Sequence, residues 1–398
     1  MLPVFILSIV TLWSRYYFKS WFAPGSFFSL FWLVLTITPL LMTSEFTVQS
    51  FGVWYITAFC FAVVLGSLIV SNIEHNNYTN VGNEFVHRYI NNKASSLLFS
   101  LTIFFTIISA FGIIVAIFIG IGRYELSLNL ISLTSLPNLF YVDRDTGVFS
   151  LPLTIRLFMY FVYTAALLAG ITMKFTNGKK RLIVFSPIAV SVLYGAILAV
   201  RSGILFAIIL FISGYAATTV FAGDRKVSIK ILIYVSLSAL SFVTLFIAIQ
   251  WLRAGADDSF IISMMLDRSK IFFFGHISVF TQWLNNYHFE QLYFGSRTFA
   301  GPLNLVGLAN RAAGVYEYFM PIGNGHYSNI YTVFRGIIED FSIPGSLAFG
   351  IIFGAIGNIS FQKCLRSHML WIVPLSFFYA FTMYSPIISI FNYNSMIL

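Results

Sequence analysis

Charge is what this sequence has least of. Asp, Glu, Lys and Arg together make up 9% of its 398 residues, against roughly 25% in an ordinary soluble domain. A chain so poor in charge cannot clothe itself in a polar surface, which excludes a soluble globule. Cysteine is nearly absent: Cys60 lies in an apolar run and Cys364 in a basic loop, so neither a disulfide framework nor a cysteine metal site can be built from them. The six histidines are scattered without the spacing of zinc ligands. No glycine-rich loop leads into a helix as a phosphate loop does, which argues against nucleotide hydrolysis. The short alternating strands of a membrane barrel are missing too. The opening MLPVFILSIVTLW lacks the basic start of a cleavable signal and is expected to be retained.

What is present is apolar. Hydrophobic residues make up 58% of the chain and aromatics 18%, and runs of about 20 apolar residues, enough to span a bilayer core, recur throughout. The fold class expected is an all-α polytopic membrane protein with about ten transmembrane helices (ten to twelve), forming one integral domain over residues 1–398. The spans read at 1–13 (short), 21–42, 51–71, 97–122, 152–172, 182–200, 202–222, 228–251, 342–362 and 369–390. Three basic clusters, Lys174/Lys179/Lys180/Arg181, Arg225/Lys226/Lys230 and Lys363/Arg366, set the cytoplasmic side, with Arg15, Lys19, Arg88 and Lys93. Residues 43–50, 123–151 and a large loop from 253 to 335 then fall outside. In that loop FIISMML and IFFFGHISVF are too short to span and suit short helices at the membrane surface. The lipid bilayer is therefore one partner. The net charge of +9 reflects cytoplasmic loops and an anionic partner outside, not nucleic acid.

On the outer side arginines gather against the usual bias: Arg201, Arg253, Arg297 and Arg335, with Arg311 close behind. Arg201 either sits at an external hairpin, where Ser202 and Gly203 permit a turn, or faces an anionic ligand at the lip of a cavity. Arg253 either anchors a span at the interface beside Trp251 or joins that ligand. Arg297, in YFGSRTFAGPLN, is either an exposed loop residue or a ligand approached through glycine-permitted backbone. Arginine suits phosphate because its planar fork makes parallel charge-assisted hydrogen bonds. The triplet Asp143-Arg144-Asp145 has the Asp-x-Asp form that holds metals in many sugar-nucleotide enzymes, but three residues match often, and a solvated loop is expected; Asp257 and Asp258 read the same way. No metal and no cofactor is expected.

The densest polar cluster is HYSNIYTVFRGIIEDFSIPGS, His326 to Ser346. On a helix Tyr331, Arg335 and Glu339 share a face, so an Arg335–Glu339 ion pair is one account. It leaves His326, Asn329 and Asp340 unexplained. Histidine takes a proton near neutral pH, and a carboxylate in a dry site can do so when its pKa rises. A base, arginines for phosphate and an amide for hydroxyls would make a transferase site.

This stretch resembles the signature of bacterial oligosaccharide repeat-unit polymerases, the Wzy-type O-antigen polymerases. The matching positions are His326, Asn329, Tyr331, Thr332, Phe334, Asp340 and Phe341, with Gly345 as the following small residue. RSGILFAIILF, from Arg201, resembles the family's arginine at the head of an apolar helix. The specific likeness covers about 21 residues, His326–Ser346. Ser342 departs from it, standing where the family usually has glycine.

The resemblance implies a fold similar to the C-type membrane glycosyltransferases and a periplasm-facing site in the bacterial inner membrane. The substrates would be oligosaccharides carried on undecaprenyl diphosphate, both donor and acceptor, with an inner-membrane chain-length regulator as protein partner. Arg201, Arg253, Arg297, Arg335 and Arg311 would hold the diphosphate. His326 or Asp340 would take the acceptor proton, and Asn329, Tyr331 and Glu339 would complete the substrate surface. An O-antigen ligase and a flippase for the same lipid-linked sugars are the rival expectations.

Overall fold

The computed structural model of the chain describes residues 1–74, 94–223, 243–244, 247–248, 259–289, 291–309 and 316–393. The expected span 228–251, except for four residues, lies outside this set. So do Arg253, Arg311, Asp257, Asp258, Arg225, Lys226, Lys230, Arg88 and Lys93. Contacts sort the chain into two compact units. The first takes Met1–Val86, Ala216–Val227 and Lys270–Ile397; the second takes His87–Tyr215 and Ser228–Ser269.

The described structure is helical apart from one small hairpin. Among the described residues seven segments are long and apolar enough to cross a membrane: Pro24–Met42, Ser50–Ser71, Ser95–Arg123, Leu153–Met173, Lys179–Ile197, Arg201–Phe221 and Thr332–Leu365. Two shorter apolar helices, Leu2–Phe18 and Met369–Tyr384, fall where the first and last spans were expected.

In the first unit α1 is Leu2–Phe18, α2 Pro24–Met42 and α3 Ser50–Glu74. The packing of α3 against the late helix Thr332–Leu365 is made by absent side chains. A Cβ on Gly66 would stand 1.9 Å from the carbonyl oxygen of Ile351, and one on Gly354 would stand 2.0 Å from that of Val63. Backbone therefore lies on backbone, the geometry that small residues allow between helices in lipid. Ser67 Oγ donates to the carbonyls of Val63 and Gly354 at 3.0 and 3.2 Å, and Asn358 Nδ2 donates to the Ser67 carbonyl at 2.8 Å. Beside this seam sits an aromatic cluster. Phe334, fully buried, meets Trp32, Phe59, Phe280 and Tyr55 at ring distances of 4.4, 4.9, 5.4 and 5.6 Å.

In the second unit α4 is Ala94–Arg123, α5 Leu130–Thr146, α6 Leu153–Met173, α7 Lys179–Ile183 and α8 Ser186–Ile197; α9, Arg201–Phe221, lies mostly here. Its helices also touch through glycine: a Cβ on Gly170 would stand 2.1 Å from the Phe211 carbonyl oxygen. The turn from α8 into α9 falls just before Arg201 and not at Ser202–Gly203. Ala199 takes the left-handed conformation at φ 51, while Leu198 and Val200 donate N–H to the carbonyls of Tyr194 and Gly195 at 3.1 and 3.0 Å. The Val200 bond, reaching back five residues past a left-handed Ala199, is the long bond of a Schellman-type stop, with alanine in the place glycine usually holds.

Two expectations about loops are corrected. The Asp143–Asp145 triplet lies on helix α5 and not in a solvated loop. Asp143 accepts from Tyr124 Oη at 2.8 Å and Arg123 Nε at 3.0 Å, partners that hold its carboxyl below the usual range. Arg144 Nη1 donates to the Leu198 carbonyl at 2.9 Å. Likewise FIISMML and IFFFGHISVF are not two short helices but parts of one, α10, Ser259–Asn285. Asp267, Arg268 and Lys270, which lie between the two apolar runs, do not interrupt it, since none of them disfavours a helix as glycine or proline would.

The remaining elements are α11, Ala300–Leu305; a hairpin of β1, Met320–Gly323, and β2, His326–Ser328; α12, Thr332–Leu365; and α13, Ile372–Tyr384. Helix α12 is interrupted at Ser342, whose φ of 65 and ψ of 175 are not helical.

Candidate functional site

The stretch from His326 to Ser346 folds as β2, a short link and the first fifteen residues of α12, ten of which precede the break at Ser342. That ten-residue piece is bracketed by strain. Thr332 has φ 66 and Ser342 has φ 65, a region where a residue bearing a Cβ is costly, and for Ser342 one almost reserved for glycine. Ser342 therefore adopts the backbone that the glycine of the resembled signature would adopt without strain. Its Oγ accepts the Gly345 N–H at 3.5 Å, a weak cap on the helix that restarts there.

One face of this piece carries Arg335 and Glu339. Arg335 Nε donates to Glu339 Oε1 at 2.8 Å, the ion pair that the four-residue spacing predicts. The Arg335 guanidinium is ringed by aromatics, 4.0 Å from the Tyr316 centroid, 4.2 Å from Tyr331 and 5.3 Å from Trp283. Such faces stabilise a cation. Its Nη1 is buried with no hydrogen-bond partner.

Arg297, 38 positions earlier in the chain, reaches the same carboxylate, with Nε 3.6 Å from Glu339 Oε2. That is an ion-pair distance but too long for a hydrogen bond. Its guanidinium lies 4.2 Å from the ring of Tyr293. Both arginines thus meet Glu339 through Nε. Their environments differ: the Arg297 side chain is 44% exposed, against 17% for Arg335.

Arg297 is brought there by its backbone. The segment before it turns at Phe294 and Gly295, φ 46 and 92, and lies along residues 339 and 340. Tyr293 and Phe294 donate N–H to the carbonyls of Glu339 and Asp340, each at 3.2 Å. Arg297 and Thr298 donate N–H to the two oxygens of the Asp340 carboxylate, at 2.9 and 2.6 Å. Asp340 has no exposed surface. Burial pushes the Tyr316 phenol up, whereas hydrogen bonds with the Gln291 amide and Arg297 draw the Tyr293 phenol down.

Other expected site residues have their own partners. Asn329 Nδ2 donates to the Tyr316 carbonyl at 2.6 Å, and the hydroxyl of the fully buried Tyr331 donates to the Tyr318 carbonyl at 2.9 Å. Both side chains tie down the segment that carries Tyr316. His326 packs its ring edge-on to Phe46 at 6.0 Å, near the Glu45–Lys270 pair. Lys270 also holds the Glu45 carboxyl below its usual range. Among the described residues no hydrogen bond or ion pair joins His326 to Arg335 or Glu339. Arg201 starts α9, in the second unit. The structure thus brings together Arg297, Arg335, Glu339 and Asp340, with Tyr331 beneath them.

Sequence reasoning missed Trp283, Tyr293 and Tyr316. Tyr293 carries a faint signal, since it and Phe294 precede Gly295 and Arg297; Trp283 and Tyr316 carry none, because helix spacing says nothing about residues joined across the chain. Among the described residues no group of three or more His, Cys, Asp or Glu side chains is close enough to share a metal ion. Comparison with protein-family models, with curated proteins and with solved structures finds no match in any of the three.

Proposed function

We propose that this protein is a glycosyltransferase that joins lipid-diphosphate-linked oligosaccharide repeat units, as O-antigen polymerases do, at the outer face of a bacterial inner membrane. The observation that carries the reading is the meeting of Arg297 and Arg335 on Glu339 among aromatic rings, within a stretch that resembles the polymerase signature. In the reaction the acceptor hydroxyl attacks the anomeric carbon of the donor, the bond to the diphosphate breaks, and the hydroxyl proton passes to a base. The lipid diphosphate leaves with the bond's electron pair, and its growing charge needs cations aimed at it. Arg297 and Arg335 both use Nε for Glu339; the more exposed Arg297 can offer its terminal nitrogens to phosphate oxygens, and Arg335, whose Nη1 is buried, adds its positive charge beside it, so no metal is required. Arg253 and Arg311 are further candidates for the same anion.

His326 is the proposed proton acceptor, an imidazole being suited to that exchange near neutral pH. Tyr293, Tyr316 and Trp283 offer ring faces on which sugars stack. In-line attack would invert the anomeric centre. Both lipid substrates would reach the site from the bilayer, with undecaprenyl diphosphate as their carrier. A chain-length regulator in the same membrane is the proposed protein partner.

Arg335→Ala, Arg297→Ala and His326→Ala, each with protein amount checked, are expected to shorten or abolish long glycan ladders. Normal long ladders from all three would refute the assignment. In a deletion strain, single repeats on lipid A are expected; lipid A without any repeat would mark a ligase instead.

A further inference from the structure

We infer that Asp340 is a positioning residue: together with the helix break beside it, it fastens segment 293–298 so that Arg297 bears on the carboxylate already held by Arg335. The inference rests on the reading of these arginines as diphosphate ligands only for its consequence in catalysis; the fastening itself stands on geometry.

An unbroken helix would offer the carbonyls of residues 339 and 340 the N–H groups of residues 343 and 344. Position 344 is proline, which has no N–H to give, and at Ser342 the chain leaves the helical path. Buried carbonyls left without donors are costly. Here the donors come from elsewhere in the chain, with Tyr293 N–H on the Glu339 carbonyl and Phe294 N–H on that of Asp340. The Asp340 carboxylate then takes two further amides, those of Arg297 and Thr298. Four main-chain donors from six consecutive residues thus land on two neighbouring residues of α12.

The break in α12 is therefore a socket. A residue that accepts a proton from substrate needs an open side, whereas Asp340 is fully buried and each of its oxygens already receives an amide. What it controls is where Arg297 stands. Thr298, 1% exposed, is sealed in with it, while the Arg297 side chain projects outward.

The test uses the full-length protein in detergent and begins with amide hydrogen exchange over residues 293–298. Asp340→Asn keeps the shape but puts an NH2 group where one amide needs an acceptor. It is expected to speed exchange across this segment by roughly tenfold or more while helical content stays unchanged. Exchange equal to wild type would overturn the inference. Asp340→Ser is the second variant, with the same expectation, should the first not accumulate.

The activity arm compares Asp340→Asn, Arg297→Ala and the double variant in polymerisation. The double variant is expected to be no slower than Arg297→Ala, and the pH profile of Asp340→Asn is expected to keep its wild-type shape. Multiplicative losses, or loss of one limb of the pH profile, would make Asp340 a proton-transfer group and overturn the inference. If the wild type polymerises nothing, the proposed function falls by itself, and the exchange result still decides whether Asp340 fastens the segment.

Discussion

Helix α12 is two different materials on either side of Ser342. The ten residues before it carry Arg335, Glu339 and Asp340 on one side and Phe334 on the other. The residues after it carry no charge until Lys363 and meet α3 through glycine. In the later half stability comes from backbone contact that tolerates no added atoms. In the earlier half it comes from one large ring seated among four others, leaving the opposite face free for polar chemistry. The lesson is that one helix can anchor in lipid and present a charged site, provided the two tasks are separated by a change of direction.

The comparison breaks most severely at Gly354. Gly354→Leu would push a side chain into the Val63 carbonyl, 2.0 Å from the new Cβ. It should cost more than the about 1–3 kcal/mol of ordinary overpacking and abolish accumulation of folded protein, read by size-exclusion chromatography in detergent. Phe334→Ala tests the earlier half by removing the ring shared by Trp32, Phe59, Phe280 and Tyr55. A loss of about 3–5 kcal/mol is expected, seen as a lowered unfolding midpoint. If Phe334→Ala were neutral, the two halves would not differ as described.

A third measurement uses pH. Helix α10 lends Phe280 and Trp283 to the earlier half, and one turn before Phe280 it carries His276, 2% exposed, its ring pushed down to about 4 by burial. The unfolded imidazole titrates near 6.5. The unfolded chain therefore binds the extra proton first, and stability falls as pH drops through the window from about 6.5 to about 4. The full loss approaches about 3 kcal/mol. The unfolding midpoint should decline between pH 7 and pH 5, and His276→Gln should flatten that decline. The smallest effect is expected at the boundary itself. Ser342→Gly should raise stability by about 1 kcal/mol, since relief of the strained φ exceeds the loss of a 3.5 Å cap. A drop in midpoint would show that the cap outweighs the strain.

These features differ in how plainly the sequence announces them. Apolar runs locate the membrane helices because burial in lipid acts on every residue of a run. The expected span from residue 342 begins where α12 is in fact interrupted, since Ser342 and Pro344 mark that place. The Arg335–Glu339 pair follows from helical spacing alone. The approach of Arg297 does not, because main-chain N–H groups make it and every residue except proline owns one. Asn329 and Tyr331 carry polar groups that suit a ligand, yet each is used on a nearby carbonyl. Helix α10 was hidden by three charged residues that a helix accommodates on its surface.

The manner in which segment 293–298 is attached has a bearing on how such a surface diversifies. Because its grip comes from peptide groups, the side chains at 294 and 296 are released from holding duty, while the ring at 293 stays against the guanidinium at 297. Those two can be exchanged, proline excepted because both backbone N–H groups are in use, while the guanidinium at 297 keeps its place. Randomising those two positions is accordingly a direct route to new surface chemistry beside Arg297 on an unchanged frame.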